Sequence, residues 1–116
     1  MLLAEDSAFF AALLVPHLRN AGLDVTLVPH GKAALDALAA QTFDLLISDL
    51  EMPVMGGFEL AAAVRRQPPL AKMRLLAISS LAESSTEQRA MEAGFDAFIS
   101  KLDQDRLLDR VVRWLS

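Results

Sequence analysis

The sequence predicts an α/β domain: a doubly wound, five-stranded parallel sheet with helices on both faces. Two observations carry this. Short apolar runs alternate with helical stretches five times along the chain. The runs are continuous (FDLLISD, MRLLAISS) rather than alternating with polar residues, as strands buried on both faces require. The 116 residues suffice for one core, and a 53% hydrophobic content with only 6% aromatics builds that core from Leu, Ala, Val and Ile.

The elements follow in order. LLA (2–4) opens the chain as a strand and runs into Glu5-Asp6. SAFFAALLVPHLRNAG (7–22) reads as a helix with Ser7 as N-cap, a stop at Gly22 and a bend at Pro16, which removes one backbone hydrogen bond. LDVTLVP (23–29) is β-branched and strand-like, and GKAALDALAAQ (31–41) is Ala- and Leu-rich and helical. FDLLISD (43–49) is the third strand. After Gly56-Gly57, FELAAAVRRQ (58–67) is a helix ended by Pro68-Pro69. MRLLAISS (73–80) is a short buried strand, and ESSTEQRAMEAG (83–94) is an amphipathic helix. DAFIS (96–100) leads to Lys101, and DQDRLLDRVVRWL (103–115) closes the chain as a helix with apolar positions at helical spacing.

Composition narrows the function. A net charge of −4 leaves no basic footprint for nucleic acid or for a membrane surface. The absence of cysteine removes disulfides and thiolate metal sites and fits a cytoplasmic protein. No apolar stretch is long enough to span a bilayer, and Glu5-Asp6 interrupts the amino-terminal run too early for a signal peptide.

In a parallel sheet all strand tips of one polarity share an edge, where ligands bind. Here that edge collects Glu5 and Asp6, Asp49, Ser79-Ser80 and Lys101. Clustered carboxylates repel, and a hard cation such as Mg²⁺ with all-oxygen ligation relieves them. A Lys and a hydroxyl beside such a cation form a cradle for an anion, and a phosphoryl group fits both. The chemistry suggested is Mg²⁺-assisted phosphoryl transfer with Asp49 as nucleophile. Singly, each residue has a plainer role: a turn former, a backbone-bonding hydroxyl, a solvated lysine. Their convergence on one edge favours a site.

The segments AEDS, ISDLEMPVMGGFEL, AISS and AFISK, in this order and spacing, resemble the receiver domain of bacterial two-component response regulators. The resemblance covers essentially the whole chain and implies the flavodoxin-like (βα)5 fold, with residues 1–116 as a single receiver domain. By that resemblance, Asp49 is the phosphoacceptor. Asp6 ligates Mg²⁺ directly, Glu5 does so mainly through water, and the backbone carbonyl of Glu51 is a further ligand. Ser79 is the switch hydroxyl, Lys101 the phosphoryl-contacting lysine and Phe98 the aromatic rotamer switch. The implied partner is a histidine kinase or a histidine phosphotransfer domain, whose phosphohistidine is attacked in line by Asp49. The style of the motifs looks most like receivers fused to chemotaxis-type hybrid histidine kinases, and the abrupt start suggests excision from a longer protein.

Some features depart from the family's usual pattern. Leu102 follows Lys101 where a proline commonly forms a cis peptide, so a trans bond is expected. Gly56 stands where an Asp is frequent and reads as harmless. Glu51 puts a carboxylate beside the phosphoryl site. The first helix has surplus apolar residues. In the family this helix docks the phosphodonor, and Phe10 and Leu13 are expected at that contact, the other reading being burial against the last helix. His17 and His30 read as surface residues, and Trp114 as a partly buried anchor. Residues 79–88 read as a mobile loop at the switch. Two alternatives stand beside the receiver: a pseudo-receiver acting as a protein-interaction or dimerisation module, and a small phosphatase of the haloacid dehalogenase type. The latter fits poorly, because its D-x-D belongs near the first strand.

Overall fold

The structure, a computed structural model, describes residues 1–80 and 83–116. Five strands form one parallel sheet: β1 (Leu2–Ala4), β2 (Thr26–Val28), β3 (Leu45–Asp49), β4 (Arg74–Ser79) and β5 (Ala97–Ser100), in the spatial order β2-β1-β3-β4-β5. The helices are α1 (Ala8–Asn20), α2 (Gly31–Ala40), α3 (Gly57–Arg66), α4 (Ser84–Ala93) and α5 (Gln104–Leu115), with a 3₁₀ turn over Pro68–Leu70. This is the doubly wound order of flavodoxin-like folds, with the order of strand addition reversing between β1 and β3.

Side-chain alternation along the strands divides the core in two. Leu3, Leu45, Ile47, Leu76, Ile78, Ala97 and Ile99 pack against Leu14, Val15 and Leu18 of α1 and Leu107 and Val111 of α5. On the other face, Leu2, Ala4, Leu46, Leu75, Ala77 and Phe98 meet α2, α3 and α4. Each fully buried Leu or Ile contributes about 1.5–3 kcal/mol. The three central strands are buried almost throughout, which is why they read as continuous apolar runs.

β2 is shorter than the expected 23–29, and Thr26 and Leu27 are exposed. It lies at the sheet edge, where one side of the ladder and part of each face meet water. α1 starts where expected, with Ser7 Oγ accepting the Phe10 N–H at 3.3 Å, and it continues helically through Pro16, which faces solvent. Gly22 takes a φ of +87° just beyond the helix end.

Two surface assignments need correcting. His17 is half-buried, its Nε2 3.2 Å from the carbonyl of Gln104, so it ties α1 to the start of α5. His30 is the N-cap of α2, its Nδ1 accepting the Ala33 N–H at 3.1 Å. Imidazole nitrogens serve as helix caps without any spacing signature. The loop expected over 79–88 is also revised, because α4 takes up Ser84 onward; Leu81 and Ala82 lie outside the described residues. Trp114 is half-buried as expected, with the Arg74 and Arg110 guanidinium groups 5.4 and 5.5 Å from its ring.

At the opposite edge from the acidic tips, Arg65 acts as a clasp. Its guanidinium donates to the carbonyls of Ala71, Met73 and Gly94 and to Asp96 Oδ2, at 2.6–3.0 Å. Asp96 Oδ2 also accepts the Leu75 N–H at 2.9 Å, so one Arg–Asp pair locks α3 to the entrances of β4 and β5.

Candidate functional site

The sheet register brings the polar strand tips level. Ala4 pairs with Ser48 across β1 and β3, so Glu5 and Asp49, each one residue on, arrive side by side. Asp49 pairs with Ile78, which puts Ser79 one step further along the neighbouring strand. Lys101 follows β5 directly, its N–H donating to the Ser79 carbonyl at 2.9 Å.

Three charged side chains are sequestered here: Glu5 is 3% exposed, Lys101 4% and Asp49 6%. Buried charges persist only when paired. Lys101 Nζ lies 2.9 Å from Asp49 Oδ2 and 2.8 Å from Glu5 Oε1, bridging the two acids. The other oxygens are held by backbone: Asp49 Oδ1 accepts the Leu50 N–H at 2.8 Å, and Glu5 Oε2 accepts the Ser7 N–H at 3.1 Å. The Phe10 ring closes over the ammonium, with Nζ 4.4 Å from its centroid.

Burial raises the Glu5 pKa above its ordinary value, with the Asp49 charge adding to the rise; Lys101 and the Ser7 N–H offset this only in part. For Lys101, burial acts to lower the pKa, but hydrogen bonding and charge from Glu5 and Asp49 override it, and the net shift is upward. The lysine is therefore held firmly as a cation.

The arrangement fits a divalent metal. Glu5, Asp6 and the buried end of Asp49 each offer a carboxylate oxygen, all within 4.8 Å of one another. Glu5 Oε1 is fully buried with the Lys101 ammonium, 2.8 Å away, as its partner, which leaves it capacity for a cation. Asp6 is exposed beside this buried pair, where an ion can reach it from solvent. Oxygen-only donors around an incompletely satisfied buried oxygen match a hard cation.

The loop from Leu50 to Gly56 carries Glu51, which is exposed. The loop closes when the Gly57 N–H donates to the Leu50 carbonyl at 2.9 Å. A Cβ on Gly57 would overlap the Asp49 carbonyl oxygen and lie 2.9 Å from Leu50 Cα, so only glycine lets α3 start against the strand tip. Gly56 has a similar reason: a Cβ there would come 2.9 Å from the Leu50 carbonyl oxygen.

The expected site residues thus divide. Glu5, Asp6, Asp49 and Lys101 converge, with Ser79 buried at the same edge. Phe98 is buried one layer below, packed on the α2–α4 side of the sheet. Leu13 is 40% exposed on α1, whereas Phe10 is half-buried over Lys101. The Phe10–Lys101 contact was not legible from sequence, because nothing in the spacing of positions 10 and 101 links them.

The profile of the response regulator receiver domain family matches residues 1–112. The chain belongs to that family. A response-regulator structure from Chloroflexus aurantiacus superposes with a TM-score of 0.93 at 28% identity, covering 98% of this receiver domain and 94% of that chain. The receiver domain of a signal transduction histidine kinase from Syntrophus aciditrophicus gives 0.89 at 32% identity, over 98% and 87% of the two chains. A gliding motility regulatory protein of Myxococcus xanthus is 31% identical over 87% of this receiver domain, which spans 13% of that protein's length. Against the family's usual pattern, the bond into Leu102 is trans, as expected. Leu102 also uses an N–H that proline lacks, donating to Ser100 Oγ at 3.2 Å. No helix among the described residues is long and apolar enough to cross a membrane.

Proposed function

We propose that this receiver domain accepts a phosphoryl group on Asp49 from the phosphohistidine of a histidine kinase or histidine phosphotransfer domain. The observation that carries the reading is the Asp49 carboxylate at the strand edge, paired with Lys101 and flanked by Glu5 and Asp6. A carboxylate oxygen of Asp49 attacks phosphorus. The new O–P bond forms as the P–N bond breaks, and its electron pair returns to the imidazole nitrogen. Lys101, fixed as a cation, neutralises charge on the phosphoryl oxygens, since catalysis of this step is chiefly positioning and electrostatics. Glu5, Asp6 and Asp49, with the Glu51 carbonyl, would hold Mg²⁺, which supplies further charge neutralisation when bound.

The acyl phosphate brings about −1.5 to −2 charges to the edge. Ser79, one step beyond the Asp49 pairing, turns its hydroxyl to the phosphoryl group, and Phe98 repacks to follow it. Two packings a few kcal/mol apart suffice for such a switch. Fusion to a chemotaxis-type hybrid kinase would tether the donor at roughly millimolar effective concentration, so weak docking through Phe10 and Leu13 would be enough. The place of action is cytoplasmic on this reading.

The test is incubation with acetyl phosphate and Mg²⁺ followed by intact mass, with Asp49→Asn and EDTA as controls. A single acid-stable, base-labile phosphoryl adduct, lost in both controls, is expected. No adduct from acetyl phosphate or from a phosphohistidine donor would leave the fold as a pseudo-receiver, a protein-interaction module.

A further inference from the structure

We propose that Phe10 is a positioning residue for Lys101: its ring caps the ammonium and holds it against Asp49 where water would otherwise sit. This rests on the reading of Asp49 as phosphoacceptor, and it gives Phe10 a task separate from docking a donor.

The geometry forms a closed circuit. Lys101 Nζ contacts Glu5 Oε1 at 2.8 Å. The other oxygen of the same carboxylate accepts the Ser7 N–H at 3.1 Å. Ser7 Oγ accepts the Phe10 N–H at 3.3 Å, and the Phe10 ring returns to Nζ, 4.4 Å from its centroid. The acid that pairs with the lysine therefore also fixes the helix start that presents the ring. Phe9 braces Phe10 edge-to-face, the centroids 5.3 Å apart with the ring planes at 85°.

An ammonium 4% exposed has given up most of its hydration. Two carboxylates approach it at 2.8 and 2.9 Å, and the ring supplies a third attractive direction. A cation–π contact corresponds to roughly 2- to 30-fold in an equilibrium or rate, the upper end applying to a desolvated ammonium. A leucine of similar bulk would fill the space without an electron-rich face. Water and alternative lysine rotamers would then compete for Nζ, so fewer molecules would present the ammonium to an incoming phosphoryl group.

The experiment compares Phe10→Leu and Phe10→Trp with the wild type, using acetyl phosphate and Mg²⁺ so that no protein docking is involved. Far-UV circular dichroism and thermal melts check that each variant folds. Phe10→Leu is expected to slow phosphorylation of Asp49 by about 3- to 30-fold, and Phe10→Trp to stay within about twofold of wild type. In NMR spectra of the metal-free protein, the Lys101 ε-methylene protons should be shifted upfield by the ring, and Phe10→Leu should abolish the shift. Three results would overturn the proposal: a wild-type rate for Phe10→Leu, no rescue by tryptophan, or slowing with a phosphohistidine protein donor alone, which would make Phe10 a docking residue. Absence of the upfield shift overturns it without reference to activity. A wild type that accepts no phosphoryl group from either donor fails the functional reading instead, and the proposal falls with it.

Discussion

Val54 should be a residue whose replacement by glycine stabilises the protein. Its φ is +68°, the single positive value at a non-glycine residue among those described, and its side chain is 77% exposed. The Met55 N–H donates to the Pro53 carbonyl at 2.7 Å, a bond spanning two residues, so Val54 is the centre of a γ-turn of the strained hand. A β-branched side chain in such a conformation costs about 1–3 kcal/mol. Glycine removes that strain but adds about 0.4–1 kcal/mol of unfolded-state entropy. The exposed valine gives up little buried area, so the net gain lies between about 0 and 2.6 kcal/mol, centred near about 1.3 kcal/mol. For 116 residues the unfolding entropy near the midpoint is about 0.24 kcal/mol/K. Val54→Gly should therefore raise Tm by about 5 °C, and by about 11 °C at most, by calorimetry, with an unchanged urea m-value. Val54→Asn, unbranched at Cβ, should gain less. A Tm below the wild-type value for Val54→Gly would refute the strain argument.

Other variants probe other parts of the fold. Gly57→Ala would drive a methyl group into the Asp49 carbonyl and should lower stability by about 2–4 kcal/mol, read from urea midpoints; an unchanged midpoint would mean the loop yields freely. Arg65→Leu would leave three carbonyls and Asp96 without their donor, for a loss of about 2–4 kcal/mol by the same assay, with Mg²⁺ affinity preserved because the clasp is at the far edge. Lys101→Met would leave Glu5 and Asp49 buried without a counter-charge. It should destabilise the metal-free protein by about 3–5 kcal/mol, and Mg²⁺ should recover more stability in this variant than in wild type.

How much was legible in the sequence follows from what each feature depends on. The five βα units came from continuous apolar runs, which arise because the central strands are covered on both faces. β2 was legible as a strand but not in its length: residues 23–25 and Pro29 continue the same pattern yet lie outside Thr26–Val28, at an edge of the sheet that propensity does not report. The acids, Ser79 and Lys101 were legible because parallel topology converts "after a strand" into "at one edge". Contacts depending on side-chain reach were not. Phe10 over Lys101, His17 on Gln104 and the Arg65 clasp each join positions far apart in sequence with no motif between them. Strain at Val54 was hidden as well, since valine in that loop reads as an ordinary exposed apolar residue.

The site's charge balance leads to a pH prediction opposite to the usual behaviour of carboxylates. Three acids face one ammonium, so the metal-free edge holds an excess of negative charge. Glu5 responds with a pKa raised above its ordinary 4.5, chiefly through burial. Above pH 4.5 an unfolded chain has released that proton while the native chain still binds part of it. Stability then falls as pH rises, because the native state binds more protons than the unfolded one. Lys101 does not contribute in this window; its pKa is raised above 10.5, and it stays charged throughout. In EDTA, the wild-type stability minus that of Glu5→Gln should therefore decline as the pH rises above 4.5, the reverse of a salt-bridged surface acid. Saturating Mg²⁺ favours ionised Glu5 and should flatten or reverse the decline. At ten times its Kd the ion should add about 1.4 kcal/mol to the wild type, or about 6 °C in Tm. A difference that rises with pH in EDTA would mean that Lys101 outweighs burial at Glu5, and that the acids are already satisfied without a metal.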